Sequence, residues 1–454
     1  PSASFDSTNE FSESYYRGQN GYESFAEAQA GRNKIVLAGS NSGLLHAFDV
    51  ETGIEQWAFM PPSFIAKMLD MKPVDTASKT SIPIYGVDGS PSVKDIFYDG
   101  QWRTVVLCGL GYGGNSYFAL DITDPTSPQH LFTFENDIEN ERVYYWDAAG
   151  NKSRYRYDAN SPGTFQDPAM SDGSGDADDP DAGGEDRLDL GDPPAGGGGS
   201  GTIGPNDPLI STAPEYDFRK LGKALSKPNI LRIKVEGLDK WVAVFGGGYN
   251  AAVNPDIGSA VYVLDIENEG KLLKDIDIED QVNVMHNYVF GIPNGNTKTE
   301  FSMSQYGLSS YNVNCCKIRI AGAGDIKYTV TGTLNGDTMS NVKINFERAP
   351  SNVTITASKV NKTDIINSLP ADLSVITANG TTKANYDGAL IYASDLEGKI
   401  TKINLTGNFN LNSDNILTNV SSTTLFNAQS TSENGRYIYT RPEVTINNDN
   451  NLWL

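Results

Sequence analysis

The chain has 454 residues, 38% of them hydrophobic and 10% aromatic, enough for a large core and too apolar for a disordered segment. Setting 57 acidic against 35 basic residues leaves a net charge of −22, a field that repels phosphate backbones and argues against nucleic acid as a partner. No apolar run nears the ~20 residues of a membrane-spanning helix, and 45 glycines with 22 prolines fit many short strands joined by tight turns.

Residues 1–33 show no repeat and read as an N-terminal lead-in. From Gly39, "GSNSGLLHAFDVETGIEQWAF" reads as three strands with turns at Asn41-Ser42-Gly43 and between Asp49 and Gly53. Asp88 to Asn136 carries four strand-like runs, "SVKDIFY", "RTVVLCGL", "SYFALDI" and "HLFTFEN", and Ser226 to Ile278 repeats their order. In both, a proline opens the first strand (Pro91, Pro228) and a polar turn leads to a tryptophan (Trp102, Trp241). The second strand then runs into glycines, "GLGYGG" or "GGGYN", and the third closes on Asp121 or Asp265. The opening stretch is the same unit from its second strand on, with Asp49 as the closing aspartate. Ala389 to Gly407 fits again with Asn404 in that place, and "RPEVTINNDNNLWL" opens a further unit.

Four antiparallel strands, repeated, describe an all-β fold: a β-propeller of about seven four-stranded blades when complete. Blades are expected within 34–136, 223–294 and 371–454, the last truncated at the C-terminus. Between them lie an acidic, glycine-rich insertion over 137–222 and a β-rich inserted subdomain over 295–370, where "KIRIAGAGDIKYTVTGTLNGDTMSNVKINF" alternates polar and apolar residues. The glycines after the second strand allow a tight turn, and an aspartate ending the third can accept backbone N–H groups of its own turn. Asp49, Asp121 and Asp265 are therefore assigned structural roles. The chain opens at Pro1 and stops inside strand-like "NNLWL", which leads us to expect a piece of a longer protein.

Catalytic signals are sparse. Of the three histidines, His46 lies in a strand and His130 and His286 near element ends, and no nucleophile-elbow, phosphate-loop or metalloprotease pattern occurs. Cys108 in "TVVLCGL" reads as a small buried hydrophobe. The adjacent Cys315-Cys316 reads either as a vicinal disulfide or as two free thiols. The aromatics of "VYYWDAAGNKSRYRY" (143–157) form a surface hairpin on this reading, with stacking on sugars as the alternative. "DGSGDADDPDAGGED", with Asp172, Asp176 and Asp178 at alternate positions, lacks the glycine and glutamate of an EF-hand loop and reads as a solvated acidic loop.

Two family resemblances follow from these residues. Ala47, Asp49, Gly53 and Trp57 in "AFDVETGIEQW" resemble the tryptophan-docking repeat of pyrroloquinoline-quinone dehydrogenases, which implies a Trp57 indole packed between blades. "ALDITDPTSPQ" and "VLDIENEGKLL" lack the tryptophan, so a quinone-dependent periplasmic dehydrogenase stands as the alternative and no pyrroloquinoline quinone is expected. The closer resemblance is to the C-terminal propeller of the PilC/PilY family of type IV pilus-tip adhesins. It is carried by "GSNSGLLHAFDVETGIEQWAFMPP", "DGSPSVKDIFYDGQWRTVVLCGLGYGGNSYFALDITDP", "KWVAVFGGGYN" and "YASDLEGKITKINL".

That resemblance implies a non-enzymatic, extracellular bacterial protein, secreted to the cell surface and pilus tip. It would support pilus biogenesis through the balance of extension and retraction, and adhesion. Its implied partners are minor pilins and a host-cell receptor or glycan, with a carbohydrate-binding propeller as a second alternative. The family also implies a calcium loop before "ALIYASDLEG", where this chain reads "TANGTTKANYDG". Asn379, Asn385 and Asp387 are its remaining candidate ligands, and one carboxylate among them predicts weak or absent calcium binding.

Overall fold

Each repeated unit folds into a mainly antiparallel sheet, and the two faces of the second and third serve two different cores. The computed structural model describes residues 7–71, 84–138, 142–157, 214–249, 257–278, 288–312, 316–321, 328–335, 338–359, 368–379, 384–428, 435–446 and a few short stretches between them. The first blade holds Ile35–Gly39, Leu45–Asp49 and Glu55–Phe59, and the second opens with Ser92–Tyr98, Gln101–Gly109, Ser116–Asp121 and Gln129–Asp137. Asn229–Val235, Leu238–Gly246, Ala260–Asp265 and Lys271–Asp277 make the third. Ser374–Thr377, Gly388–Ser394, Lys399–Thr406 and Ser421–Asn427 make the fourth, and Thr445–Ile446 pairs with Leu452–Trp453 beyond it. These are the blades of an all-β propeller.

The turns that open the second and third blades obey one rule. Asp99-Gly100 and Glu236-Gly237 have φ of 51° and 73°, and of 52° and 84°. Positive φ at both central residues is the two-residue hairpin turn whose twist matches that of the strands it joins.

Alternation then divides each strand. In Gln101–Gly109, Val106 and Cys108 face the first blade with Leu45, Ala47, Trp57 and Phe118. Val105 and Leu107 face the third blade's Trp241, Ala243 and Phe245. In Leu238–Gly246, Val242 and Val244 turn the other way, onto Ile391, Ile403 and Leu405 of the fourth blade. Every internal blade is thus buried on both faces.

Backbone bonds clasp consecutive blades. The segment after one second strand meets the stretch that approaches the next unit, through Val87 N to Ser40 O at 2.9 Å and Gly111 N to Ala224 O at 3.1 Å. The series continues with Gly248 N to Leu369 O at 3.1 Å and Ile438 N to Asp395 O at 3.3 Å. This adds a second role to glycines read as turn formers. At Gly248, φ is +79° and a Cβ would stand 1.8 Å from Lys223 O, so a side chain and the clasp exclude each other.

Three boundaries differ from the sequence reading. The lead-in holds two short helices, α1 (Glu13–Gln19) and α2 (Tyr22–Ala28), with Ser12 capping α1 through Tyr15 N at 3.0 Å. The second blade does not end at 136. Arg142–Trp146 and Lys152–Tyr157 extend it outward, and with Phe165–Gln166 its sheet reaches seven strands. Val143, Tyr145, Trp146 and Tyr155 are buried, so the surface hairpin expected at 143–157 is instead part of a packed sheet. Tyr288–Ile292, read as the end of the third blade, pairs with Val353–Lys359 in the inserted subdomain. Phe301, Ile320, Val342, Ile344 and Ile355 form that subdomain's own core. The acidic loop with Asp172, Asp176 and Asp178, His286 and Cys315 lie outside the described residues.

The clasp makes a prediction by contrast. Gly100 also has positive φ, but no atom lies within 4 Å of the place its Cβ would take, so Gly100→Ala should cost about 1–2 kcal/mol of backbone strain. Gly248→Ala adds a collision with backbone and should cost at least twice as much. Chemical denaturation of both variants decides this; equal losses would remove the clasp as a constraint.

Candidate functional site

The repeated aspartates close their turns. Asp49 Oδ1 accepts from Thr52 N and Thr52 Oγ1, both at 2.8 Å, and Asp121 Oδ1 accepts from Thr123 N at 2.8 Å. Asp265 accepts from Asn268 N at 3.2 Å and from Lys240 Nζ at 2.7 Å, and Asn404 repeats the pattern with Thr406 N at 2.9 Å. Gly53, at φ +70°, donates to Asp49 O at 2.8 Å and completes the first of these turns. Trp57 is buried between the first and second blades, its Nε1 donating to Pro125 O at 2.8 Å across the blade gap.

The histidine and cysteine positions are equally local. His46 Nε2 lies 3.0 Å from Ser40 Oγ and its Nδ1 lies 2.8 Å from Glu55 Oε2, a serine–histidine–carboxylate chain. Ser40 Oγ is shared with Ser42 Oγ at 2.6 Å and Leu44 O at 3.2 Å, and Ser40 N donates to Leu44 O at 3.0 Å. The group fastens the Asn41-Ser42-Gly43 turn. His130 contacts Thr133 Oγ1 at 2.8 Å, and burial lowers its pKa. Burial pushes the Cys108 thiol up to about 12, which keeps it protonated and unreactive.

The 377–388 loop is engaged by protein groups. Asn379 Oδ1 accepts from Glu13 N at 2.7 Å, Asn9 Nδ2 donates to Ala384 O at 3.0 Å, and Asn385 is exposed. Asp387 Oδ1 stands 3.6 Å from the buried guanidinium of Arg232, which also binds Asp239, donates to Phe11 O at 3.3 Å and lies over the Tyr16 ring. Calcium takes 6–8 oxygen ligands with several charges among them; among the described residues of the loop, one carboxylate facing a guanidinium and one carboxamide already accepting an N–H do not supply that set.

Glu13 and Arg17 anchor α1 onto the blades. Arg17 is buried against Tyr22 and Trp102 and donates to Asp95 O at 3.0 Å, while Tyr16 packs against both Trp102 and Trp241. Burial raises the Glu13 carboxyl, but Lys94 at 2.6 Å and Arg17 at 2.8 Å outweigh it and hold it below its ordinary value.

One arrangement was not anticipated from the sequence. The clasps carry tyrosines: Tyr85 approaches the second blade, Tyr112 and Tyr249 follow Gly111 and Gly248, and Tyr437 and Tyr439 flank Ile438. Tyr85 and Tyr112 lie 5.3 Å apart between ring centroids, and Tyr437 and Tyr439 5.9 Å apart. Lys223 joins Tyr112 to Tyr249, with Nζ donating to Tyr112 O at 3.1 Å and N donating to Tyr249 O at 2.8 Å. Gly248 N reaches Leu369 O at 3.1 Å and Leu396 N reaches Ser368 O at 3.0 Å, so the Tyr249 clasp runs on to the one at Asp395 and Ile438. The sequence signal was a tyrosine at the same offset in "GLGYGG" and "GGGYN".

Comparison with known proteins gives a consistent result. Residues 13–154 match the family model described as the PilY1 beta-propeller domain. A "Type IV pilus biogenesis factor PilY1" of Pseudomonas aeruginosa strain UCBPP-PA14 is 34% identical over 123 residues, 27% of this chain and 10% of that protein. A "Type IV pilus biogenesis factor PilY1 homolog" of Xylella fastidiosa strain Temecula1 is 40% identical over 119 residues, 26% of this chain and 9% of that protein. The matched region spans about a tenth of these relatives' length. The crystal structure of the P. aeruginosa PilY1 C-terminal domain superposes with a TM-score of 0.35 at 18% identity, covering 86% of this chain and 61% of that one.

Two carboxylates near the blade turns give the fold a pH dependence. Asp395, buried beneath its clasp, accepts from Lys399 N at 2.9 Å, and burial pushes it up to about 7 despite the Lys399 ammonium. Burial also pushes Glu267 up to about 7, against the bond it accepts from Trp241 N at 2.6 Å. Both ionise near pH 4 in an unfolded chain, so the native state binds more protons between about pH 4 and 7. Stability from this source is full below that window and falls as pH rises through 7. The melting temperature should be higher at pH 6 than at pH 8, and Asp395→Asn with Glu267→Gln should shrink the difference. A flat or reversed profile in the unsubstituted protein would contradict the assignment.

Proposed function

We propose, from the match of residues 13–154 to the PilY1 beta-propeller domain, that the chain acts as a non-catalytic part of the type IV pilus machinery. In this reading it is secreted to the cell surface, meets minor pilins at the pilus tip, shifts the balance of pilus extension and retraction, and contributes to adhesion. The family match over 13–154 carries the proposal. Support comes from the blades beyond those residues, which repeat the same clasp at Gly248–Leu369 and Asp395–Ile438. The chemistry of the described histidines and of Cys108 supports a structural use as well: each is absorbed into a turn or a core. Deleting the gene in its native host should abolish surface pili and twitching motility, with both restored by the intact gene. Wild-type piliation in the deletion strain would refute the proposal.

The 377–388 loop belongs to the same reading as a calcium-independent element, with Arg232 supplying the positive charge beside Asp387. Millimolar calcium should leave the melting temperature unchanged, since a ligand of useful affinity stabilises by RT ln(1 + [L]/Kd). Arg232→Ala should cost about 1–3 kcal/mol, because it leaves Asp387 without its cation and Asp239 with Lys234 alone. A calcium-induced rise in melting temperature that vanishes in Asp387→Ala would show instead that the loop holds the metal.

A further inference from the structure

The tyrosines of the clasps form a surface that no fold requirement explains. Tyr85, Tyr112, Tyr437 and Tyr439 are 57%, 50%, 40% and 64% exposed, whereas most aromatic rings of the second and third blades are spent on the cores. Among the described residues of the clasp segments, every exposed large apolar side chain is a tyrosine. Around the rings stand glycine backbone and short polar groups: exposed Asn41, Ser42 and Asp88, with Asp88 Oδ2 accepting from Tyr112 N at 3.4 Å.

We propose that this tyrosine rim binds saccharides, the rings stacking on the C–H faces of pyranose units while Lys223 and the polar side chains of the clasps meet their hydroxyls. The composition selects this ligand class. A phenol ring offers a flat apolar face with a polar edge, and a pyranose offers the same pairing of surfaces. A protein partner of ordinary affinity would bury about 800 Å² on each side around a desolvated core, and the described residues of the clasp segments expose no aliphatic side chain to build one.

The rim is also held ready. Tyr112 and Tyr249 each follow a glycine whose N–H is fixed to the next unit, at Ala224 O and Leu369 O. Tyr437 and Tyr439 flank the Ile438 N–H that is bound to Asp395 O. Such anchors fix the backbone that carries the rings, which removes the main-chain part of the ordering cost on meeting a ligand. Their arrangement follows the propeller's repeat: one clasp per blade junction supplies one or two rings.

The inference does not depend on the pilus assignment, since it is read in vitro. The full chain is screened on an array of neutral and acidic oligosaccharides, and the strongest ligand is then titrated by calorimetry. Tyr112→Ala and Tyr439→Ala should each weaken binding roughly tenfold, the scale of one lost aromatic stack. Tyr112→Phe, which keeps the ring, should stay within about threefold of the unsubstituted protein by the same reasoning. Phe426→Ser, an exposed ring in the fourth blade's last strand, should change nothing, and matching melting temperatures establish that the variants are folded. Absence of binding across the array overturns the proposal. So does binding that survives both alanine substitutions, or rim-dependent capture of a pilin without any sugar ligand.

Discussion

The structure depends on one constraint: an internal blade must be covered on both faces, so neighbouring blades have to approach until their backbones bond. Alternation supplies the two apolar faces, as Val105 and Leu107 point to one core and Val106 and Cys108 to the other. Approach at the clasp then demands glycine. Where Gly248 N reaches Leu369 O, the Lys223 carbonyl already occupies the space of a Cβ. The clasps convert a run of separate sheets into one body with a defined order.

The first turns of the second and third blades are used a second time. Trp102 and Trp241 stand at equivalent places in their units and receive the same short helix, with Tyr16 against both rings and Arg17 stacked on Trp102. A guanidinium is tolerated at such depth because the aromatic faces, the Asp95 carbonyl and Glu13 together replace its water. From there the N-terminal segment reaches the fourth blade, where Glu13 N and Asn9 Nδ2 bond the loop that resembles a family calcium site. In the described part of that loop, amide donors and a guanidinium act on Asn379 Oδ1, Ala384 O and Asp387 Oδ1.

The clasp has a chemical consequence as well as a mechanical one. By fixing the backbone next to Gly111, Gly248 and Ile438, it holds the following or flanking tyrosines outward, away from cores already filled by Phe118, Phe134 and Phe245. Function and stability therefore meet in the same short segments, whose mechanical task limits where an exposed ring can be placed.

Local chemistry was legible in the sequence. The two-residue period, the Asp-Gly and Glu-Gly turns and the aspartates that close their own loops are each written within a few positions, so the propeller and the roles of Asp49, Asp121 and Asp265 could be read directly. The helices over 13–28 were not, because two seven-residue helices offer too few turns for a periodic signal and draw their stability from docking on Trp102 and Trp241. The burial of Tyr145 and Tyr155 escaped for a related reason: whether a hairpin extends a sheet depends on which edge is free, not on its own pattern. Glu13 meets Asn379 across 366 positions, and Arg232 meets Asp387 across a blade boundary. No local period records such pairs. The sequence by itself therefore determined the blade and its turns, while the tertiary structure alone decided which charges pair, which aromatics are buried and which tyrosines share a rim, since those depend on strands brought together by packing between blades.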